Sequence, residues 1–146
     1  MMKFIISSIL IQTSIGMTAC STPNNVGSQN PIPTQVNSPK TSNYQNISPE
    51  EAKKRLENEK GIVLLDVRTQ EEYDEKHIPN SLLIPVDVIE KEAPDKLTDK
   101  NAPIFVYCRS GRRSVTASEA LVKMGYTKVY NLGGIIDWPF ETETGK

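Results

Sequence analysis

The run Cys108-Arg109-Ser110-Gly111-Arg112-Arg113 places one thiol and three guanidiniums in six consecutive residues. It follows the wholly apolar Ile104-Phe105-Val106-Tyr107 and precedes a stretch with helical spacing, so the thiol is expected where a strand hands over to a helix. A loop of this length can curl until successive backbone N–H groups point inward and form an anion-binding nest. Gly111 supplies the backbone freedom such a curl demands. An unperturbed thiol near pKa ~8.5 is only roughly 3% thiolate at pH 7. Lowering that pKa by about two units makes roughly three quarters of it thiolate and takes ~2.7 kcal/mol of preferential stabilisation. A helix terminus and Arg side chains can provide it. The expectation is a nucleophilic Cys108 in an anion-binding loop of Arg109, Ser110, Gly111, Arg112 and Arg113. The bland alternative is an inert, buried Cys at a strand end; three neighbouring Arg weigh against it.

The elements that must position this loop are legible in outline. Ser48-Pro49-Glu50-Glu51 reads as a helix start, with a Ser cap, Pro in the first turn and Glu three residues on, and the helix runs through Leu56 towards Gly61. Ile62 to Leu65 is a continuous apolar run, the pattern of a strand buried on both faces. Thr69 caps a short charged helix through Tyr73; Leu82 to Ile84 is a second strand ended by Pro85, and Ile104 to Tyr107 belongs at the sheet centre. From Ser114 to Met124, Ala117, Ala120, Leu121 and Met124 recur at helical spacing, with Gly125 just beyond. Lys128 to Tyr130 is a last strand and Gly134 to Trp138 a last short helix. The Glu- and Lys-rich stretch from Glu90 to Lys100 reads as a solvated face. Alternating buried strands and helices predict a small α/β domain with a mainly parallel central sheet and helices on both faces.

Four segments, in order, resemble the rhodanese family of single-domain sulfurtransferases over about residues 47–140. Asp66-Val67-Arg68 followed by Glu72-Tyr73 is similar to the family's Asp-Val-Arg stretch with its later Glu-aromatic pair. His77-Ile78-Pro79-Asn80-Ser81 with Ile84-Pro85 is similar to its His-Ile-Pro-Gly-Ala and Ile-Pro segment. Cys108 to Arg113 resembles its active loop, and Asn131-Leu132-Gly133-Gly134 with Trp138 its Gly-Gly and Trp close. Asn80 stands where the family has Gly; Asn also tolerates left-handed backbone, so the turn is expected to survive. The resemblance implies that Cys108 attacks the outer sulfur of a small anionic donor such as thiosulfate, becomes a persulfide, and passes sulfur to cyanide or a thiol acceptor. It implies no cofactor beyond that covalent intermediate, and no metal.

Other conspicuous residues have plainer readings. Asp66 and Arg68 are expected to pin the strand end by an ion pair. His77 belongs to a structural turn in the family pattern, since a low-pKa thiolate needs no base, and Trp138 is expected to pack as a core or lid residue. The nearest rival is a cysteine-dependent phosphatase or arsenate reductase, whose loop also cradles a thiolate. Tyrosine phosphatases, however, need Arg six residues after Cys, and that position is Ser114. A non-catalytic sulfur carrier or binding module is the second rival. Thioredoxin-like redox work is disfavoured because a lipidated Cys20 leaves the domain no resolving thiol.

The N-terminal third reads differently. Lys3 is the only charge before residue 40, and Phe4 to Ile15 is too short to span a bilayer, which needs ~20 apolar residues. Gly16-Met17-Thr18-Ala19-Cys20 puts small residues before a cysteine and resembles a bacterial lipoprotein signal, which implies lipidation of Cys20 and anchoring to the extracytoplasmic face of a bacterial membrane. The division expected is a signal peptide at 1–19, a flexible Pro/Ser/Thr/Asn linker at 20–45 and a folded domain at 46–146. Across 146 residues, 17 basic side chains meet 18 acidic ones, so nothing suggests capture of nucleic acid. One His excludes a multi-histidine metal cluster, and two Cys exclude a disulfide framework. A monomer is expected.

Overall fold

A computed structural model describes residues 43–145. The expected signal peptide, the linker as far as residue 42 and Cys20 lie outside the described residues. No helix among those described is long and apolar enough to cross a membrane.

Five parallel strands form one sheet: β1 (Gln45–Asn46), β2 (Val63–Asp66), β3 (Leu82–Leu83), β4 (Ile104–Cys108) and β5 (Val129–Gly134), in the spatial order β1-β5-β4-β2-β3. Four helices accompany them: α1 (Pro49–Asn58), α2 (Gln70–Glu75), α3 (Ile89–Lys96) and α4 (Arg112–Lys123). The Ser48 hydroxyl caps α1 by accepting from the Glu51 N–H at 3.2 Å. Thr69 and Glu72 close a reciprocal capping box on α2. All five residues of β4 are buried, and their side chains alternate between two cores. Ile104, Val106 and Cys108 pack on Ala93, Ala117 and Leu121 from α3 and α4; Phe105 and Tyr107 pack with Ala52 of α1 and Trp138. Helices therefore cover both faces, as the unbroken apolar runs require.

Three elements differ from the expectation: Gln45, expected at the end of the flexible linker at 20–45, begins the edge strand β1 and pairs with Tyr130 of β5 because Tyr44 beside it packs against the core. Glu90 to Lys100 is not simply a solvated face: α3 occupies most of it, burying Ile89, Ala93 and the following Leu97 at four-residue spacing. That buried stripe outweighs Pro94 inside the helix. The last strand runs beyond Tyr130 to Gly134, because a bulge absorbs Leu132: Val106 pairs with Asn131 while Tyr107 pairs with Gly133. Asn80 adopts φ +62°, so the turn after Pro79 survives the replacement of Gly.

The chain leaves β2 towards β3 on one side and β4 towards β5 on the other, so the carboxyl ends of β2 and β4 flank the point where strand order reverses. Crevices of open α/β sheets form there. Asp66 ends β2 and Cys108 ends β4.

Candidate active site

The loop after β4 turns through Gly111, at φ +98° the residue before α4, and this bend aims the first amides of α4 back at Cys108. The Gly111 N–H donates to Cys108 Sγ at 3.1 Å. Cys108 is only 1% exposed, yet its sulfur faces loop amides, and the residue lines an open cavity of about 490 Å³ with Arg109, Ser110, Arg112 and Arg113. Burial pushes its pKa up, but the backbone amides of Ser114, Gly111 and Ser110 with the Ser114 hydroxyl outweigh that, and the net shift is downward. A thiolate in an amide nest is the arrangement that binds and stabilises anions.

The three loop guanidiniums do different things. Arg109 and Arg112 are exposed at the mouth, with no ion pair to a described residue. Arg113 also lines the cavity, but its two terminal nitrogens grip Glu72 at 2.7 and 2.8 Å. That pair fastens α4 to α2 and keeps a positive charge within electrostatic reach of Cys108. The Arg113 hydrogen bond, with burial opposing it and the Thr69 N–H assisting, holds the Glu72 carboxyl down at about 2 from an ordinary 4.5. A carboxyl depressed on folding stabilises the protein above its unfolded pKa and loses that contribution as pH falls towards the folded one. Between pH about 4.5 and about 2 the wild-type domain should therefore lose stability more steeply than Glu72→Gln. Denaturant titrations through that range check this; parallel pH dependences would contradict it.

Asp66 and Arg68 form a buried fork at the end of β2. Arg68 Nη2 lies 2.6 Å from Asp66 Oδ2 and its Nε 3.0 Å from both carboxylate oxygens. The Arg68 backbone N–H also donates to Asp66, and Nη2 to the Lys76 carbonyl at 2.6 Å. His77 is buried, stacked on Tyr73 at 3.8 Å, with Nδ1 against the Tyr73 carbonyl and Nε2 3.3 Å from Glu143. Those contacts suit a structural turn. Trp138 packs in the second core, its indole N–H donating to the Glu141 carbonyl.

Three residues gain a place here that their types alone did not suggest. Gly134 lies so close beneath the loop that a Cβ there would sit 2.6 Å from the Arg109 carbonyl oxygen. Ser114 is fully buried at the start of α4, its hydroxyl donating to the Gly111 carbonyl at 2.8 Å, and its polar groups help to lower the Cys108 pKa. Asn131 places its Oδ1 2.7 Å from the Ser114 hydroxyl. The Gly133-Gly134 pair was the available signal for close approach; Ser114 and Asn131 are seen only once β5 and α4 are placed beside β4. Beside the sulfur cavity, and sharing Arg109 with it, lies a second depression of about 350 Å³ that includes Ile135, Ile136, Glu75 and Lys76. Ile136 is 65% exposed, the one large hydrophobic so exposed among the described residues.

A parallel α/β sheet that carries Cys108 among loop amides and guanidiniums at its reversal point defines the class of small α/β domain with a cysteine loop. The chain belongs to the rhodanese-like domain family, whose model matches residues 48–139. It is 40% identical over 73 residues to the thiosulfate sulfurtransferase PspE of Escherichia coli, covering 50% of this chain and 70% of that one. It is 38% identical over 103 residues to YrkF of Bacillus subtilis, covering 70% of this chain but only 55% of that relative's length. A solved structure described as rhodanese with anions from E. coli superposes with a TM-score of 0.55 at 36% identity, covering 57% of this chain and 99% of that one.

Proposed function

We propose that this protein is a sulfurtransferase that carries sulfane sulfur on Cys108. The carrying observation is the Cys108 sulfur, accepting from the Gly111 N–H at 3.1 Å, in a cavity shared with exposed Arg109 and Arg112, neither of them ion-paired to a described residue. The Cys108 thiolate attacks the outer sulfur of thiosulfate or a similar anionic donor. A new S–S bond forms, the donor's S–S bond breaks, and sulfite leaves with the electron pair. The persulfide is itself an anion for the same amides. Cyanide or a thiolate then attacks its terminal sulfur, forming thiocyanate or a new persulfide and returning the Cys108 thiolate, so no external oxidant or reductant is consumed. Dividing the transfer in two predicts ping-pong kinetics.

Mass spectrometry of the intact domain after thiosulfate exposure should show one added sulfur on Cys108, and Cys108→Ser should show neither that mass nor transfer. Aryl phosphate hydrolysis without sulfur transfer would overturn the reading in favour of a phosphatase. Ser114 at the position where tyrosine phosphatases need Arg weighs against that outcome. The proposal includes export and a lipid anchor at Cys20, placing a monomeric domain at the extracytoplasmic face of a bacterial membrane. Cys20→Ser should then move the protein from the membrane fraction to the soluble one; unchanged fractionation would refute the anchor.

A further inference from the structure

Ile136 is held exposed by backbone bonds on both sides of it. Gly134 is the register partner of Cys108 across β5 and β4, so the turn Ile135–Asp137 begins one residue past the position paired with the nucleophile. Ile135 is buried in the second core, and its carbonyl accepts from the Trp138 N–H at 3.2 Å. The Ile136 N–H donates to the Arg109 carbonyl at 3.3 Å, which ties the turn to the cysteine loop. By chain geometry the Ile136 Cα lies no more than about 12 Å from that of Cys108. A single exposed isoleucine is ordinary on a protein surface. This one lines a depression of about 350 Å³ that meets the sulfur cavity at Arg109.

The charged lining of that depression is partly committed elsewhere, Arg68 to Asp66 and Glu72 to Arg113. Lys76 and Arg109 then stand against Glu75, none of the three ion-paired to a described residue, so an apolar wall adjoins an excess of positive charge. Thiosulfate and cyanide have no apolar surface to set against isoleucine. We infer that this depression docks the polypeptide that takes the sulfur, a chain whose acceptor cysteine is flanked by an apolar side chain for Ile136 and a carboxylate for Arg109. Contact with a fixed apolar side chain supplies affinity, and the unpaired guanidinium on the shared rim orients the carboxylate. An extended tripeptide spans about 10 Å, enough to bridge Ile136 and the cysteine loop. The acceptor cysteine, its proton already given to water, attacks the terminal sulfur of the Cys108 persulfide. A new S–S bond forms, the old one breaks, and the electron pair returns to Cys108. This inference rests on the sulfurtransferase reading and adds to it the kind of acceptor.

The test loads the protein with thiosulfate, checks the added sulfur by mass, and follows its discharge by capped tripeptides and by cyanide. Cysteine stands between glutamate and leucine in the first peptide, between glutamate and serine in the second, and between lysine and leucine in the third. The first should discharge the persulfide about tenfold more efficiently than the second, from the burial of one leucine side chain, and roughly threefold more efficiently than the third. Ile136→Ser should shrink the leucine preference to within about twofold, and Ile136→Leu should keep it. Equal efficiency of the first two peptides with the wild-type protein, or a leucine preference that survives Ile136→Ser, would overturn the inference. A protein that takes up no sulfur overturns the sulfurtransferase reading instead. Docking is then read by NMR, adding the first peptide with serine in place of its cysteine. Shifts centred on the Ile136 methyls support the docking surface, and none at roughly millimolar peptide overturns it.

Discussion

Gly134→Ala is expected to slow persulfide formation by at least about 10²-fold while leaving the fold intact. The backbone at Gly134 is extended (φ −110°, ψ 141°), so alanine meets no conformational penalty there. The harm lies in contact. A Cβ would sit 2.6 Å from the Arg109 carbonyl oxygen, 2.8 Å from Ser110 Cα and 3.1 Å from the Arg109 carbonyl carbon. All three are backbone atoms of the active loop, and none can swing aside as a side-chain tip could. The loop must lift, and with it the Ser110 and Gly111 amides that face the sulfur. Displacement of about 1 Å in such a cradle typically costs about 10²-fold, and it also weakens the stabilisation of the thiolate. Single-turnover reaction with thiosulfate, read beside a thermal melt, checks both parts. A wild-type rate would mean that the loop's close seat on β5 is irrelevant to chemistry.

How much of this was written in the sequence depends on the range of the interaction. The unbroken apolar runs of β2 and β4 announced burial on both faces, and Ser48 and Thr69 announced their helices, because capping and alternation are properties of neighbouring residues. The cysteine loop was legible for the same reason: thiol, glycine and the following helix are contiguous. What was not legible depends on register. Arg113 was expected to face an anion, and its partnership with Glu72, 41 positions away, exists only once α2 and α4 meet. Asn131 reaches Ser114, 17 positions away, only once β5 lies beside β4 and α4 packs against them. Helix α3 was hidden by a different conflict. Its Glu, Lys and Pro content argues for exposure, whereas three apolar residues at four-residue spacing decide the matter.

Arg68→Ala should bring the domain close to unfolding at ordinary temperatures. Asp66 is 0% exposed and Arg68 4%, so the substitution leaves a carboxylate in the interior without its guanidinium and strips the Lys76 carbonyl of its donor. Removing one partner of a buried pair costs about 3–5 kcal/mol, against a total of about 5–15 kcal/mol for a small domain. At roughly 4–8 °C per kcal/mol for a domain of this size, the melting temperature should fall by roughly 12 °C or more. The cost lies in the stranded charge rather than in the attraction lost, and a second variant separates the two. Asp66→Leu/Arg68→Met removes both charges from the interior and should recover much of the lost stability, since apolar replacements of buried pairs are often neutral or better. Thermal melts of the two variants therefore carry opposite expectations. An Arg68→Ala protein that melts within a few degrees of wild type, or a double variant no better than the single one, would show that the end of β2 does not depend on this ion pair.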